Sequence, residues 1–321
     1  MDYTTLGRTG LRVSVAGLGC GGFSRLGQSQ GRSVEESVSV VHQALDLGIN
    51  FIDTAAGYNT EPIVGQALDG ISRDTVVLST KATIAHGNNR ESVVQVLASL
   101  DQSLKNLRVD CIDVFHLHGV APGDCDYACN EIVPAVLRER DKGKFRFLGI
   151  TEIPPYDPGH ESLIQALPTN LFDVTMVAYH MLHQSARRRV FPLTQERDIG
   201  VLIMFAVRVI FSEPGRLQQI VGELAEAGQL PTELKDDPDP LGFLLRDGDA
   251  RSVIDAAYRY CRHTPGTDVV LFGTGNPQHV RANVESILGP PLSPDHVQKL
   301  ETLFGALTGV GLDLPPPVDE G

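Results

Sequence analysis

Four titratable residues stand at or just beyond the ends of short apolar runs. They are Asp53 and Tyr58 in "FIDTAAGY" (51–58), Lys81 in "LSTK" (78–81) and His118 in "DVFHLH" (113–118). A phenol titrates near 10 and is a poor acid at neutral pH unless its anion is stabilised. A lysine ammonium beside it supplies that stabilisation, and a carboxylate keeps the lysine charged and oriented. A histidine facing the hydroxyl can hydrogen-bond a carbonyl oxygen held between them. The set is then a proton donor for an oxygen that gains charge while hydride attacks its carbon. Each residue also has a structural use: Asp53 as a turn cap, Tyr58 as half-buried packing, Lys81 as a snorkelling chain and His118 as a satisfied core histidine. Their coincidence in one place favours the chemical reading.

His116 lies two residues before His118, so on a strand both point to one side. That pair also suggests a metal-dependent hydrolase. Such a site needs further histidines and an acid at other strand ends. His86 and His183 fall in loops, His180 falls near the end of a strand, and Lys81 and Tyr58 are left without a role. Cys125 and Cys129 form a lone CxxxC, which is not the paired spacing of zinc sites. No metal is expected. His116 is expected one layer deeper than His118, in a hydrogen-bonded structural role.

The elements that must carry these residues alternate along the whole chain. Apolar runs at "VSVAGLG", "INFIDT", "TVVLSTK", "CIDVFHLH", "FRFLGIT", "FDVTMVAY", "VLIMFA" and "DVVLFGT" read as eight strands, with amphipathic segments between them. Nearly all are continuous rather than alternating, as in parallel strands buried on both faces. Ser33 and Glu36 form a capping box that opens the first helix. Eight strand–helix units predict an α/β fold, a (β/α)8 TIM barrel over residues 1–310 as a single domain. A small N-terminal hairpin, "YTTLGRTGLRVS", is expected to plug the barrel floor. A long charged loop over 211–250, after strand 7, reads as a lid or a mobile segment, and 311–321 as an extended or disordered tail. "GLGCGG" (17–22) offers a weak dinucleotide fingerprint that the barrel reading does not need.

The formal net charge is −13, and the only dense basic run is Arg187–Arg189, so nucleic acid is not an expected partner. The start lacks the basic and apolar regions of a signal peptide, and no apolar stretch reaches the roughly 18 residues that span a bilayer. A cytoplasmic protein with no membrane partner is the expectation. Five scattered cysteines argue against a disulfide framework.

With "VLFGTGNPQHVRANVE" (270–285) added, the four motifs resemble those of the aldo-keto reductase family, in order and at similar spacing. The resemblance runs from the hairpin to about residue 288. It implies a nicotinamide cofactor, NAD or NADP, extended across the strand ends, and reversible interconversion of a small carbonyl compound and an alcohol or lactone. It implies Tyr58 as proton donor and acceptor, Lys81 and Asp53 as its tuning pair, and His118 orienting the carbonyl. Cofactor contacts are implied at Gly22, Phe23 and Asp53, at Thr151 and Glu152, at Phe205, and at Gly273, Thr274, Gly275, Asn276, His279 and Asn283. Several positions depart from the family pattern. Thr151-Glu152 replaces a serine–asparagine pair, with Glu152 a candidate acceptor for the carboxamide NH₂. Met176 stands where glutamine is common, and Phe205 replaces the tyrosine that stacks on the nicotinamide. The loop 273–276 carries no lysine or arginine for a 2′-phosphate, which inclines the reading to NAD. The substrate wall is expected from Phe23, Tyr58, Tyr179, Phe205 and the 211–250 excursion, for an aldehyde, ketone or aldose. A further alternative is a nicotinamide-binding protein without activity, against which the intact set of four residues argues.

Overall fold

The computed structural model describes residues 1–87, 89–246 and 248–314. Eight parallel strands close into a barrel in chain order: β1 (Ala16–Gly19), β2 (Phe51–Asp53), β3 (Val77–Thr83), β4 (Ile112–Val120), β5 (Phe145–Glu152), β6 (Val174–Ala178), β7 (Gly200–Met204) and β8 (Val269–Phe272), with β8 against β1. Helices α1 (Val34–Asp46), α2 (Glu61–Ala67), α3 (Val93–Leu107), α4 (Val133–Asp141), α5 (Glu161–Ala166), α6 (Phe191–Arg197), α7 (Val253–His263) and α8 (Pro277–Ile287) follow the strands in turn. The expected (β/α)8 barrel is therefore the fold. No helix among the described residues is long and apolar enough to cross a membrane.

Successive strand residues face opposite sides, and the two sides bury different things. Leu18, Ile52, Leu78, Phe115, Leu117, Leu148 and Ile150 pack outward beneath the helices. Phe51, Val77, Val114, Val174, Met176, Leu202 and Leu271 fill the lower barrel interior. Above them the inward positions turn polar, with Asp53, Ser79, Lys81 and His116 all buried. The capping box at Ser33 forms as expected: its Oγ accepts from the Glu36 amide and Glu36 accepts from the Ser33 amide.

Three elements differ from the sequence expectation. The first strand divides at Val15: Arg12–Ser14 pairs antiparallel with Tyr3–Thr5, and only Ala16–Gly19 joins the barrel. The amphipathic segment between β6 and β7 forms two short helices instead of one, Ala186–Arg189 and Phe191–Arg197, because Pro192 lacks the amide that would continue the first. The 211–250 excursion contains its own helix, Arg216–Glu226, with Val221 and Ala225 buried, and then Phe243–Arg246. Of the expected tail, residues 315–321 lie outside the described residues.

The hairpin plugs the barrel floor. Leu6, Leu11 and Val13 join the interior cluster, and Arg8 binds the Asp173 carboxylate at 3.1 Å and the Phe172 carbonyl at 2.8 Å. Gly7 has φ +43°, and a Cβ there would lie 2.3 Å from the Gly200 amide nitrogen and 2.6 Å from the Asp198 carbonyl oxygen. Backbone cannot yield as a side chain can, so Gly7→Ala is expected to destabilise the fold by about 1–3 kcal/mol. The specific activity of the folded protein should be unchanged, because the strand ends lie at the opposite face. Urea unfolding with parallel activity assays checks both halves.

Candidate active site

The register of four strands assembles the site. Gly19 of β1 pairs with Asp53 of β2, Asp53 with Ser79 of β3, and Lys81 of β3 with His116 of β4. Lys81 and Asp53 thereby face each other inside the barrel. The Lys81 ammonium donates to Asp53 Oδ1 at 2.8 Å, to Oδ2 at 2.7 Å and to the Thr54 carbonyl at 2.7 Å. Ser79 donates to Asp53 Oδ1 at 2.7 Å. Burial alone would lower the Lys81 pKa, but Asp53 and Tyr58 outweigh it and raise it, so the side chain stays charged. Burial pushes the Asp53 carboxyl up, and Lys81 and Ser79 hold it back.

Tyr58 arrives on the short turn Ala56–Tyr58 after β2. That turn is closed by Asn59 in the left-handed region (φ +59°) and by a 3.0 Å bond between the Thr54 and Thr60 hydroxyls. The Lys81 ammonium lies 5.1 Å from the centroid of the Tyr58 ring. Burial raises the Tyr58 pKa, and the charge and hydrogen bonding of Lys81 oppose that rise. Tyr58 Oη lies 3.4 Å from His118 Nε2, with the two rings edge to face. Burial first, then the Lys81 charge, lowers the His118 pKa to about 3, so its imidazole is neutral. The pair of a phenol and a neutral imidazole can address one carbonyl oxygen, each with a hydrogen. Catalytic contacts of this kind are often long before substrate enters.

Beneath His118, His116 fills space that Gly149 of β5 leaves open: a Cβ at Gly149 would lie 2.1 Å from His116 Nδ1. The expected hydrogen bond is absent, because neither ring nitrogen of His116 has a partner among the described residues. The β4–β5 ladder shifts register between Leu117 and Val120. A bulge of this kind re-aims the side chains beside it, and the freed Gly119 amide donates to Thr151 Oγ1 at 2.8 Å.

The remaining expected residues divide. Thr151 is on the mouth side of β5, but Glu152 is turned away from it. Its carboxylate accepts from the Ala178 amide at 2.9 Å and bonds His160 Nδ1 at 2.8 Å. The carboxamide acceptor proposed for it is thus already committed elsewhere. Tyr179 is not a substrate wall: it is fully buried on the helix side, and its hydroxyl bonds Tyr260 at 3.1 Å. It falls there because Met176 and Ala178, not Val177 and Tyr179, carry the inward phase of β6. Phe205 follows β7 with φ +70°, a sparsely populated conformation for a bulky residue. Gly22 takes φ +68°, and Phe23 beside it is 38% exposed. After β8, Thr274 Oγ1 accepts from the Asn276 amide and Asn276 caps α8 through the Gln278 amide, both at 3.0 Å. His279 is exposed and Asn283 half-buried on α8.

Sequence reasoning missed Ser24 and Arg208. Ser24 Oγ is buried without a partner, and a Cβ at Gly273 would lie 3.7 Å from it. An orphaned hydroxyl between the β1 and β8 loops, next to bare glycine backbone and the first turn of α8, suits a polar ligand laid across these strand ends. The donors present therefore fit a nicotinamide dinucleotide, which Ser24, Gly273, Thr274 and Asn276 would hold. Arg208, on the β7 loop, had no motif to mark it.

The model described as "Aldo/keto reductase family" matches residues 17–304. The chain is similar to L-galactose dehydrogenase of Arabidopsis thaliana, 30% identical over 209 residues; the match covers 63% of this chain and 64% of that protein, under two thirds of its length. It is similar to the aldo-keto reductase YhdN of Bacillus subtilis, 25% identical over 95% of this chain and 94% of that one. Among solved structures it resembles the holo form of the aldo-keto reductase AKR11C1 from Bacillus halodurans. The TM-score is 0.75, with 25% identity over 98% of this chain and 100% of the other.

Two predictions follow from the geometry. A Cβ at Gly21 would lie 2.4–2.7 Å from three Tyr58 ring carbons. Gly21→Ala should swing that ring off Lys81 and His118 and cut kcat roughly 10²-fold with near-native circular dichroism. Because the His118 pKa is lowered to about 3 and burial raises that of Tyr58 from its usual alkaline value, neither group changes protonation at neutral pH. Carbonyl reduction should then show no inflection near pH 6.5, where a free imidazole titrates; a pH–rate profile tests this.

Proposed function

Since this chain belongs to the aldo/keto reductase family and is an NAD(P)-dependent oxidoreductase acting on a small carbonyl compound, we propose that Tyr58 is its proton donor, tuned by the Lys81–Asp53 pair and aided by His118. The observation that carries this reading is the position of Tyr58 Oη, 3.4 Å from His118 Nε2 and under the charge of a fully buried Lys81. The bound dinucleotide supplies the hydride. The chain's part is the oxygen. His118, neutral and protonated on Nε2, donates a hydrogen bond to the carbonyl oxygen and fixes its position. As negative charge grows there, Tyr58 passes its hydroxyl proton to that oxygen. The resulting phenolate is held by the Lys81 ammonium. One ammonium hydrogen shared between the two Asp53 oxygens leaves another free to face Tyr58, since an ammonium carries three. In the oxidative direction the phenolate takes the proton back from the substrate hydroxyl.

Aldehydes, ketones and aldoses all suit such a site. The likeness to an L-galactose dehydrogenase supports oxidation of an aldose at its anomeric carbon as the first activity to test. The neutral loop Gly273–Asn276 supports NAD over NADP, because a 2′-phosphate seeks a cation that this stretch lacks. Glu152 does not enter this reading, and the carboxamide is left to Thr151.

Tyr58→Phe is expected to reduce turnover by 10²-fold or more, in the range of a lost general acid, while the Kd for the preferred dinucleotide stays within about twofold of wild type. Fluorescence titration with NADH and NADPH, then a panel of aldoses and aldehydes, measures both quantities. Unchanged turnover in the variant overturns the role given to Tyr58. Tighter binding of NADPH than of NADH overturns the cofactor preference.

A further inference from the structure

Arg208 is an anomaly that the chemistry above does not use. It sits four residues beyond the end of β7, at the mouth of the barrel, and is only 8% exposed. Its guanidinium lies 3.8 Å from the centroid of the Phe205 ring and 4.8 Å from that of Phe23, two of the aromatic residues of the expected cofactor and substrate wall. Nε and Nη2 are buried with no hydrogen-bond partner among the described residues, and the guanidinium has no ion-pair partner there either. Five donors in a rigid fork are the standard receptor for a carboxylate or a phosphate.

The surroundings offer it little. Asp313, on the segment that follows a helix over Pro294–Phe304, is the one carboxylate among the described residues whose charge reaches it, without closing an ion pair. Asp313 Oδ2 is itself buried and unpartnered. His180, the other titratable neighbour, is neutral: burial above all brings its pKa to about 3, with the Arg208 charge contributing. Burial also lowers the pKa of Arg208, to about 10, which still leaves it a cation at neutral pH. An uncompensated buried charge is among the most destabilising features a fold can carry, and the aromatic faces relieve it only in part.

We propose that Arg208 is the receptor for an oxyanion at the barrel mouth, with Phe205 and Phe23 as plates that hold its fork in plane. The ligand chemistry is a phosphate or carboxylate, carried either by the dinucleotide's diphosphate or by an acidic substrate. Asp313 is the internal carboxylate that yields when the ligand arrives. The inference rests on the reading above in taking this mouth as the reaction site, and it narrows the ligand class there.

The test is calorimetric titration of the full chain, and of Arg208→Gln and Arg208→Lys, with inorganic pyrophosphate, ADP and glycolate. At least one probe should bind Arg208→Gln tenfold or more weakly than wild type, with partial recovery in Arg208→Lys. Loss confined to pyrophosphate and ADP assigns the dinucleotide; loss confined to glycolate assigns an acidic substrate. Wild-type affinity for all three probes in both variants overturns the proposal. If the glutamine variant does not fold, Arg208→Lys decides, since an ammonium keeps the charge but loses the fork. Tyr58→Phe run alongside separates the two readings: its binding of the probes should match wild type whether or not it turns over substrate.

Discussion

The upper half of this barrel depends on one ion pair, Lys81 with Asp53, sealed from solvent. Taking two charges out of water is costly, and the attraction between them offsets that only when the geometry is good and the remaining hydrogen-bonding capacity is met. Here it is met on both sides. Asp53 also accepts from Ser79, and Lys81 also donates to the Thr54 carbonyl. All of these groups sit on β2, β3 and the turn between β2 and α2, so the parallel register that closes the barrel also aligns the pair. Removing either partner alone strands the other charge in a dry interior. The pair therefore fixes the protonation of everything around it: Tyr58 feels a cation, and His118 is held neutral partly by the same cation.

Space around this pair is made by residues with no side chain. The barrel interior narrows at Gly149, where the His116 ring lies, and the mouth narrows at Gly21, where the Tyr58 ring lies. In each case a single added methyl would occupy the volume of the functional ring. These glycines are thus steric complements to two aromatic side chains on neighbouring strands and loops. Close packing makes the position of Tyr58 a property of the loop after β1 as much as of the turn after β2, so a residue with no functional group sets where the Tyr58 hydroxyl lies.

Most of the scaffold was legible in the sequence. Continuous apolar runs at regular spacing reveal buried parallel strands, and the polar residue ending each run marks the reactive face. What was not legible depends on phase and on distant partners. Tyr179 looked like a mouth residue because it follows an apolar run. Its side of β6 is set by the pairing of Thr151 with Met176 and of Met176 with Leu202, which no single strand reveals. Glu152 has the right chemistry for an amide, but His160 eight residues on and the Ala178 amide of β6 claim it. The excursion helix was legible and overlooked: Leu217, Ile220, Val221 and Leu224 recur at helical spacing, masked by the glycine, proline and charge around them. Arg208 had no sequence signal, since only the tertiary structure shows that no described residue pairs with it.

The commitment of Glu152 has a consequence at the far end of the chain. His160 passes from Glu152 to Ser185 at 2.8 Å on each side; Ser185 lies 3.4 Å from His183, and His183 Nδ1 accepts from the Gly309 amide at 3.1 Å. This buried chain of hydrogen bonds runs from the end of β5 to the segment that carries Asp313. Chains of this sort rigidify what they join when every member is satisfied. The loss of a carboxylate from the cofactor side and the anchoring of the C-terminal segment over the mouth are thus two results of one side chain turning outward. That segment also carries Asp313, so one buried run of hydrogen bonds joins the end of β5 to the stretch whose carboxylate charge reaches Arg208.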